Sequence, residues 1–380
     1  MVPEGRAGRG GALTDAPPPV AAPRAVSAAY VYDGWHPCAE RDAAFGPGWT
    51  EWELLRAARP QFEGHRPPGF PAGGPYDDRD PAVWDARIAA ARRYGVDVFV
   101  PGWFWSRGKK VFEAAVEEGF LRCARRDEIG FAVFWANRMP HRVLPLRIID
   151  AEGTPESRKV YTDPDDVVAL IEDCADRFFS LPRYWRVGGK PYFAIFDTTL
   201  FLRQLGPARA AEAISRAKDR VGGLHLAAID PDVPWRPRLA ELGFDAVTHY
   251  VRLPIWKGGP RRQRYADLAA LRESEWDGWA RDCGLPYYPS VSPGWDATPR
   301  GVWHPDEPPD RFPWAPVVVD ATPERFARHV AAAERWTLAA NGPGAPLFIA
   351  SWNEWSEGHA IEPSARDGDA WLRALGRTSG

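Results

Sequence analysis

Two carboxylates near the C-terminus have the types and spacing of an acid/base pair. Glu354 and Glu357 stand three residues apart, just after the apolar run 347–352. If the chain turns helically there, the two side chains project in similar directions, and one can donate a proton while the other accepts one. This division of roles is typical of groups that attack glycosidic bonds. The alternative is a turn at Gly358 after a solvated strand end, with no chemistry at either carboxylate.

A strand ending near Asn353 would deliver both glutamates to the carboxyl end of a sheet, where α/β folds build their sites. Apolar runs predict eight such strands, at 27–32, 96–103, 131–135, 191–196, 224–229, 246–250, 287–291 and 347–352. Helix candidates lie between them at 81–94, 164–180, 207–220, 265–283 and 323–341. Several begin with proline beside an acidic residue or threonine, which suits the first turn of a helix.

The alternation of strand and helix predicts an α/β fold, a (β/α)8 TIM barrel formed as a single domain. A doubly wound open sheet is the alternative, but no glycine-rich phosphate loop follows the first strand. We divide the chain into an N-terminal extension, 1–25, predicted to be disordered because it is rich in Gly, Pro, Ala and Arg, and a catalytic barrel, 26–380.

In a barrel of this kind the residues that follow the strands share one mouth. Here they are rich in aromatic rings, amides, aspartate, histidine and arginine, a lining suited to sugars, whose C–H faces stack on aromatic rings. Core packing must account for most of the 19 tryptophans, 11 tyrosines and 18 phenylalanines. The predicted substrate-binding residues are Tyr32, Trp35, His36, Trp103, Trp105, Asn137, Tyr250, Trp295, Asp296, Arg300, Trp352, Asn353 and Trp355.

Each of these residues also has a structural interpretation. Asp296 and Arg300 bind substrate or clamp a loop, and of Trp295, Trp352 and Trp355 we expect one at the sugar while the others cap the core. The remaining polar candidates bind hydroxyl groups or orient a carboxylate.

Composition and charge exclude several classes of partner. A formal net charge of -3 and a pI of about 6.3 give no basic surface for nucleic acid. The four cysteines are far apart and the eight histidines form no HExxH motif, so we expect no metal and no cofactor. The N-terminal segment has no apolar stretch long enough for a signal peptide or a membrane span, which predicts a cytoplasmic protein unless a misplaced start codon hides an export signal. The oligomeric state stays open.

Several motifs together resemble one known family, the glycoside hydrolase family 99-like or WbsX-like proteins. The resemblance extends over about residues 28–378. Its most specific piece is WNEWSEG at 352–358 followed by IEP at 361–363, which occurs after GWDATPR at 294–300. The other segments are YVYDGWH at 30–36, WTEW at 49–52, FEGH at 62–65 and WAN at 135–137.

The resemblance implies a (β/α)8 barrel that acts on glycosidic bonds. Well-understood members resemble endo-α-mannosidases that retain anomeric configuration, in which the 2-hydroxyl of the sugar attacks the anomeric carbon. Carried onto this chain, the resemblance makes Glu354 the base that removes the 2-hydroxyl proton and Glu357 the acid/base. One carboxyl must then stay ionised while the other stays protonated.

Two departures and two rival functions accompany this hypothesis. Gly102 stands where relatives commonly carry an acidic residue, and Arg138 follows the WAN segment where we expect a neutral or aromatic residue, which predicts room for an acidic sugar. Other WbsX-like proteins are labelled glycosyltransferases of surface-polysaccharide assembly, which is the first rival. A catalytically silent carbohydrate-binding barrel is the second, although a binder has no use for two nearby carboxylates that repel each other.

Overall fold

The computed structural model describes residues 23–138, 160, 162–301 and 309–376. Parallel strands run in one sheet that curls into a barrel, and the predicted (β/α)8 fold is confirmed. The strands are β1 (Val26–Val31), β2 (Val98–Ser106), β3 (Gly130–Phe131 and Val133–Trp135), β4 (Lys190–Ile195), β5 (His225–Ile229), β6 (Ala246–Thr248), β7 (Tyr287–Tyr288 and Ser290–Val291) and β8 (Pro346–Ile349).

The seventh strand closes the barrel. Its first half, Tyr287–Tyr288, pairs with β6, and its second half, Ser290–Val291, pairs with β8. Pro289 separates the halves because proline has no amide hydrogen to donate to a ladder. The other neighbours follow chain order from β1 to β6, and β1 also pairs with β8, so the ends of the sheet meet.

The helices among the described residues are α1 (Ala39–Phe45), α2 (Trp52–Ala57), α3 (Pro81–Tyr94), α4 (Pro164–Cys174), α5 (Thr198–Leu205), α6 (Pro207–Arg220), α7 (Tyr265–Cys283), α8 (Pro323–Asn341) and α9 (Ala370–Arg373). Four predicted helices have the bounds expected from the sequence. The fifth ends as an α-helix at Cys174 and continues as the wider turn Ala175–Phe179. Side chains of Asp80, Asp163 and Thr322 accept amide hydrogens at the starts of α3, α4 and α8, each just before a proline.

The strands are buried on both faces, as expected where helices cover a parallel sheet. Inside the barrel, the rings of Tyr30 and Phe348 stack at 5.0 Å. Outside it, Trp103 packs edge-on against Phe178, which follows α4. Within the part of the chain that is described, no helix combines the length and the apolar character needed to cross a bilayer.

The predicted N-terminal extension lies mostly outside the described residues. At its described end, Arg24 forms an ion pair with Asp97 at 2.6 Å and Ala25 is buried. The division between extension and catalytic domain stays a prediction.

Candidate active site

The segment that follows β8 folds back on itself and turns both glutamates to one side. Asn353–Glu354 pairs antiparallel with His359–Ala360, and Trp355–Glu357 forms a single helical turn between them. Gly358 ends this turn in the left-handed conformation, with φ of +65°. A β-carbon at Gly358 would lie 2.9 Å from atoms of Asp296, so glycine is needed both for the backbone angle and for the close approach.

The two carboxylates meet as the spacing predicted. One oxygen of Glu354, one of Glu357 and a ring nitrogen of His359 all lie within 4.8 Å of one another. Glu354 is 3% exposed and Glu357 is 9% exposed, so little water competes for either group.

Arg300 bridges the pair. Its Nη2 donates to Glu354 Oε1 at 2.6 Å, and its Nη1 donates to Glu357 Oε1. Its Nε donates to the hydroxyl of Ser356 at 2.9 Å. The side chain therefore fixes both carboxylates and the turn between them with one planar group, which is the geometry that guanidinium offers and an ammonium does not.

A third carboxylate, Glu51, lies against the same guanidinium. Arg300 Nη2 donates to Glu51 Oε2 at 3.1 Å, and the hydroxyl of Ser356 donates to the same oxygen at 2.5 Å. The other oxygen of Glu51 accepts from the hydroxyl of Tyr32 and from Arg41. Glu51 is fully buried.

The surroundings separate the pKa values of these carboxyls. Burial raises the pKa of Glu354 to about 8; the nearby carboxylates Glu357 and Glu51 add to the rise, while Arg300 opposes it. Burial also disfavours the charged form of Glu51, but Arg300 and Arg41 outweigh it and hold the pKa of Glu51 below its ordinary value. Glu51 is therefore ionised at neutral pH, and Glu354 has an affinity for a proton suited to acid/base work.

Tyr250 and His359 flank the pair. The hydroxyl of Tyr250 donates to Glu354 Oε2 at 3.0 Å, and His359 Nε2 lies 3.2 Å from Glu357 Oε2. Burial and the carboxylates of Glu354 and Glu357 raise the pKa of Tyr250 well above its ordinary value, so its hydroxyl remains a donor. Burial lowers the pKa of His359, which favours the neutral ring although Glu357 opposes the shift.

Asp230 links His249 to the backbone of Tyr250. The Asp230 carboxylate contacts His249 Nδ1 and accepts from the backbone amide of Tyr250 at 3.3 Å. Burial opposes its ionisation, but His249 holds the pKa of Asp230 below the ordinary value. Asp230 adopts φ of +48°, an uncommon angle for a residue other than glycine, at the end of β5.

Two predicted site residues, both asparagines, tie neighbouring loops together. Asn353 accepts from the amide of Tyr32 at 2.8 Å and donates to its carbonyl at 2.9 Å, which joins the ends of β8 and β1. Asn137 makes the same two-bond contact with the backbone of Asp197, at 2.7 and 2.9 Å, and joins the ends of β3 and β4. Both therefore have a structural use in this state of the protein.

Asp296 is likewise engaged in its own loop. It accepts from the amide and the hydroxyl of Thr298 at 3.0 and 2.7 Å, and its other oxygen lies 2.8 Å from His65 Nε2. Its backbone amide donates to the carbonyl of Glu357 at 2.8 Å, which holds the turn that carries this glutamate. Among these contacts Asp296 acts as the clamp of the GWDATPR segment.

Four of the predicted tryptophans are packed away from the carboxylates. Trp35 stacks on Trp52, Trp352 packs edge-on against Phe99, and both are fully buried. Trp103, the last residue of the predicted strand, and Trp105, which we expected in the loop beyond it, both lie within β2, because that strand continues to Ser106 and pairs with Lys109–Val111. The indole of Trp105 donates to Asp166 at 2.8 Å. His36 is also buried, 2.6 Å from Asp78.

The other two tryptophans lie beside the pair. Trp295 stacks on His359 at 5.3 Å, and Trp355 donates to Glu362 at 2.9 Å. Both line a cavity of about 470 Å³ that opens next to the glutamate turn, although neither Glu354 nor Glu357 lines it. The rings of Trp295 and Trp256 pack edge to face, with centroids 4.7 Å apart, and Trp256 is 43% exposed.

The cation expected to recognise an acidic sugar is already paired. Arg138 contacts Asp197 Oδ2 at 2.7 Å and lies over the ring of Phe196. The Arg138 side chain is 64% exposed, and exposed ion pairs are weak, so an acidic sugar at this position stays a prediction.

Two groups of described residues have the chemistry of metal ligands. In the first, Glu354, Glu357 and His359, the guanidinium of Arg300 already occupies both carboxylates, so a second cation would be repelled. In the second, His36, Asp77 and Asp78, the two aspartates bind Arg79 and the amide of Trp35. We assign no metal to either.

Sequence reasoning missed Glu51, Arg41, Ser356, His359 and Trp256. Glu51 had a signal, because it lies in the WTEW segment that carries the family resemblance. Arg41 and Trp256 lie in segments without a motif, and only the contacts across loops show where they belong.

The sequence is similar to a known protein family over most of its length. Residues 27–375 match the family model described as Glycosyltransferase WbsX. Two curated relatives, both uncharacterized proteins WxcX from strains of Xanthomonas campestris pv. campestris, are 31% identical over 364 residues, which is 92% of this chain and 49% of theirs. The chain thus spans about half the length of these relatives.

Solved structures share the fold. A glycoside hydrolase-like protein superposes with a TM-score of 0.61 at 16% identity over 97% of this chain and 98% of its own. The GH99 endo-alpha-mannosidase from Bacteroides thetaiotaomicron superposes with a TM-score of 0.58 at 17% identity over 92% of this chain and 95% of its own. The resemblance inferred from the motifs is confirmed: this chain belongs to the family described as Glycosyltransferase WbsX, and its barrel shares the fold of the GH99 endo-alpha-mannosidase.

Proposed function

We propose that this protein is a glycoside hydrolase that cleaves α-linked, mannoside-like bonds in an oligosaccharide or polysaccharide and retains anomeric configuration. The observation that carries the proposal is the pair Glu354 and Glu357, which Arg300 holds with oxygens within 4.8 Å of each other. Inverting enzymes need a wider gap between their carboxyl groups, which holds the attacking water. The short separation therefore argues against inversion, and the retaining route through the 2-hydroxyl is the one that the family resemblance implies.

In the proposed reaction Glu354 removes the proton of the sugar 2-hydroxyl. That oxygen forms a bond to the anomeric carbon as the bond to the leaving oxygen breaks, and Glu357 protonates the leaving oxygen. Glu357 then takes a proton from water as the water oxygen bonds to the anomeric carbon, and the released 2-oxygen regains its proton from Glu354. The bond between the 2-oxygen and the anomeric carbon breaks in this second step, and both glutamates return to their starting protonation states, so the pair completes a cycle.

The environment of the pair supports this chemistry and adds one requirement. Tyr250 and Arg300 both donate to Glu354, and these bonds stabilise its ionised form. Burial, however, raises the pKa of Glu354 to about 8, so at neutral pH this group mostly holds a proton. Substrate binding must therefore ionise Glu354 and leave a proton on Glu357, whose oxygen lies within 4.8 Å.

The test is Glu357→Gln assayed on α-linked oligosaccharides and on aryl glycosides with leaving groups of different acidity. We expect turnover of the oligosaccharides to fall by about 10²–10⁴-fold, since that is the usual contribution of a general acid. Aryl glycosides with acidic leaving groups need no proton and should lose much less. Unchanged oligosaccharide turnover would show that Glu357 is not the acid.

Glu362→Gln is the matched control for this variant. Glu362 is also a buried glutamate, but its partners are Arg87, Tyr76 and Trp355. A loss of turnover that depends on the leaving group only in Glu357→Gln separates chemistry from general damage to the fold. If instead the leaving-group dependence appears in Glu354→Gln, the roles of the two glutamates are reversed.

A glycosyltransferase is the second candidate, favoured by the family description. A transferase needs a place for an activated donor such as a nucleotide sugar. Asp230–Pro231–Asp232 has the letters of a DxD donor motif, but both aspartates are engaged, because Asp230 bonds His249 and Asp232 pairs with Arg203 at 2.7 Å. Thermal-shift screening with nucleotide sugars separates the candidates. Clear stabilisation by one nucleotide sugar, with no hydrolysis of any glycoside, would favour the transferase.

A further inference from the structure

The buried carboxylates and guanidiniums of the site are unequal in number. Glu51, Glu354 and Glu357 all contact Arg300, and Glu51 also contacts a second cation, Arg41. All five residues are less than 10% exposed. A buried cluster with a net charge is strongly disfavoured, because desolvation penalises the unbalanced ion. With three acids and two permanent cations, neutrality requires one proton on the carboxylates.

The geometry decides which carboxyl stays ionised. Glu51 accepts four donors, from Tyr32, Arg41, Ser356 and Arg300, so both of its oxygens are satisfied as a carboxylate. Glu354 and Glu357 each accept fewer bonds and lie within reach of each other. The single proton therefore belongs to the Glu354–Glu357 pair.

We propose that Glu51 is a positioning residue, a fixed anion whose charge retains one proton on the Glu354–Glu357 pair. The inference rests on the proposed function for its catalytic meaning, but the protonation itself is a property of the folded chain. Without Glu51, two acids would face two cations, and both catalytic carboxyls would ionise. The site would then hold no acid for the leaving group.

The other titratable groups around the cluster leave this count unchanged. Burial lowers the pKa of His359 and raises those of Tyr32 and Tyr250, which keeps these three groups uncharged at neutral pH. Burial also raises the pKa of Asp33 well above its ordinary value, which favours its protonated form. Asp230 is ionised, but its carboxylate is paired with His249 on the far side of Tyr250.

The experiment compares the full chain with three variants, Glu51→Gln, Arg41→Gln and the double variant. The readout is the infrared absorption of protonated carboxyl groups as a function of pH. Glu354→Gln and Glu357→Gln assign the band of the pair, and Asp33→Asn removes the band of the buried Asp33. Glu362→Gln, which removes a buried glutamate outside the cluster, is the control.

In the wild type the band of the pair should be present at pH 7. Glu51→Gln should lower the midpoint of this band by at least about one pH unit, because removal of a like charge favours ionisation of a buried carboxyl, and the band at pH 7 should fall to about half or less of that in the wild type. Arg41→Gln should strengthen the band, since three acids then face one cation. The double variant should restore a single protonated carboxyl, since two acids face one cation. This rescue also covers the case in which Glu51→Gln alone folds poorly.

A band in Glu51→Gln that titrates as in the wild type, or a double variant that behaves as Glu51→Gln does, would overturn the proposal. Because the band is measured without substrate, this result is independent of whether the enzyme hydrolyses any glycoside. If activity is found, the alkaline limb of the pH profile of kcat/KM, which reports loss of the proton from the acid, should move to lower pH in Glu51→Gln. The double variant should move this limb back.

Discussion

At the scale of single residues, the proton affinity of Glu354 makes the stability of the protein depend on pH. Its pKa is raised from an ordinary 4.5 to about 8 in the folded chain, mainly by burial. The folded state therefore holds this proton more tightly than the unfolded state. The stabilisation is complete below about pH 4.5 and is lost as pH rises to about 8.

Glu354→Gln removes this titration. We expect the free energy of unfolding of the wild type to fall, relative to that of the variant, by up to about 1.4 kcal/mol for each pH unit between these limits. Urea denaturation of both proteins from pH 4 to pH 9 measures the difference. A difference that does not vary with pH would mean that Glu354 titrates at its ordinary value in the folded protein. Glu362→Gln controls for loss of a buried glutamate.

Arg300 shows why residue types alone leave roles open. An Asp–Arg combination in a loop predicts a substrate contact or a clamp, and Arg300 here binds three glutamates from two distant segments. Its neighbour Asp296 instead binds His65 and Thr298. The sequence could identify both residues as candidates. The choice between their uses depends on partners that lie as far as 231 residues away from Asp296 and 249 residues away from Arg300 along the chain.

At the scale of elements, the glutamate turn depends on Gly358. Replacing it by alanine puts a β-carbon at φ of +65° and within 2.9 Å of Asp296. We expect Gly358→Ala to lose more than the 1–2 kcal/mol of a left-handed residue, about 2–4 kcal/mol in all, because the loop of Asp296 must also move. Activity should fall as well, since the turn carries Glu357, the proposed acid. Chemical denaturation measures the first effect.

Gly344→Ala is the matched control. Gly344 has a similar φ of +78°, but nothing lies within 4 Å of an added β-carbon. It should lose only the backbone contribution. Equal losses in the two variants would show that the approach to Asp296 does not constrain the turn.

Most elements could be predicted because their signals are local. Capping residues with proline at the first turn marked α3, α4 and α8, and apolar runs marked the strands. Strand β2 extends three residues beyond the predicted end, because Lys109–Val111 turns back and pairs with it. That pairing has no signature in the apolar run itself, so Trp105 was expected in a loop and Trp103 at the strand end.

At the scale of the whole molecule, the mouth of the barrel combines loops that are distant in sequence. The exposed ring of Trp256, after β6, meets Trp295, after β7, at 4.7 Å, and Trp295 stacks on His359, after β8. His359 contacts Glu357. This line of rings leads from the carboxylate pair to the rim, where an exposed indole suits a sugar beyond the cleavage point.

We therefore expect Trp256→Ala to raise KM several-fold for long oligosaccharides and to leave short aryl glycosides unaffected. Loss of one stacked ring corresponds to about 1 kcal/mol of binding. Steady-state kinetics on substrates of increasing length test this. The control is Leu271→Ala, which removes another exposed apolar side chain, on α7. An equal effect on all substrate lengths would contradict a role at a remote sugar.

The sequence by itself determined the barrel, the strand that precedes Glu354 and Glu357, and the family, because periodicity, capping and contiguous motifs are local along the chain. Only the tertiary structure decided that Glu51 and Arg41 join the pair, and that Trp35, Trp103, Trp105 and Trp352 belong to the core. Charge balance and burial depend on which loops meet after folding. A side chain's neighbours in space, and hence its proton and its exposure, cannot be read from its neighbours in sequence.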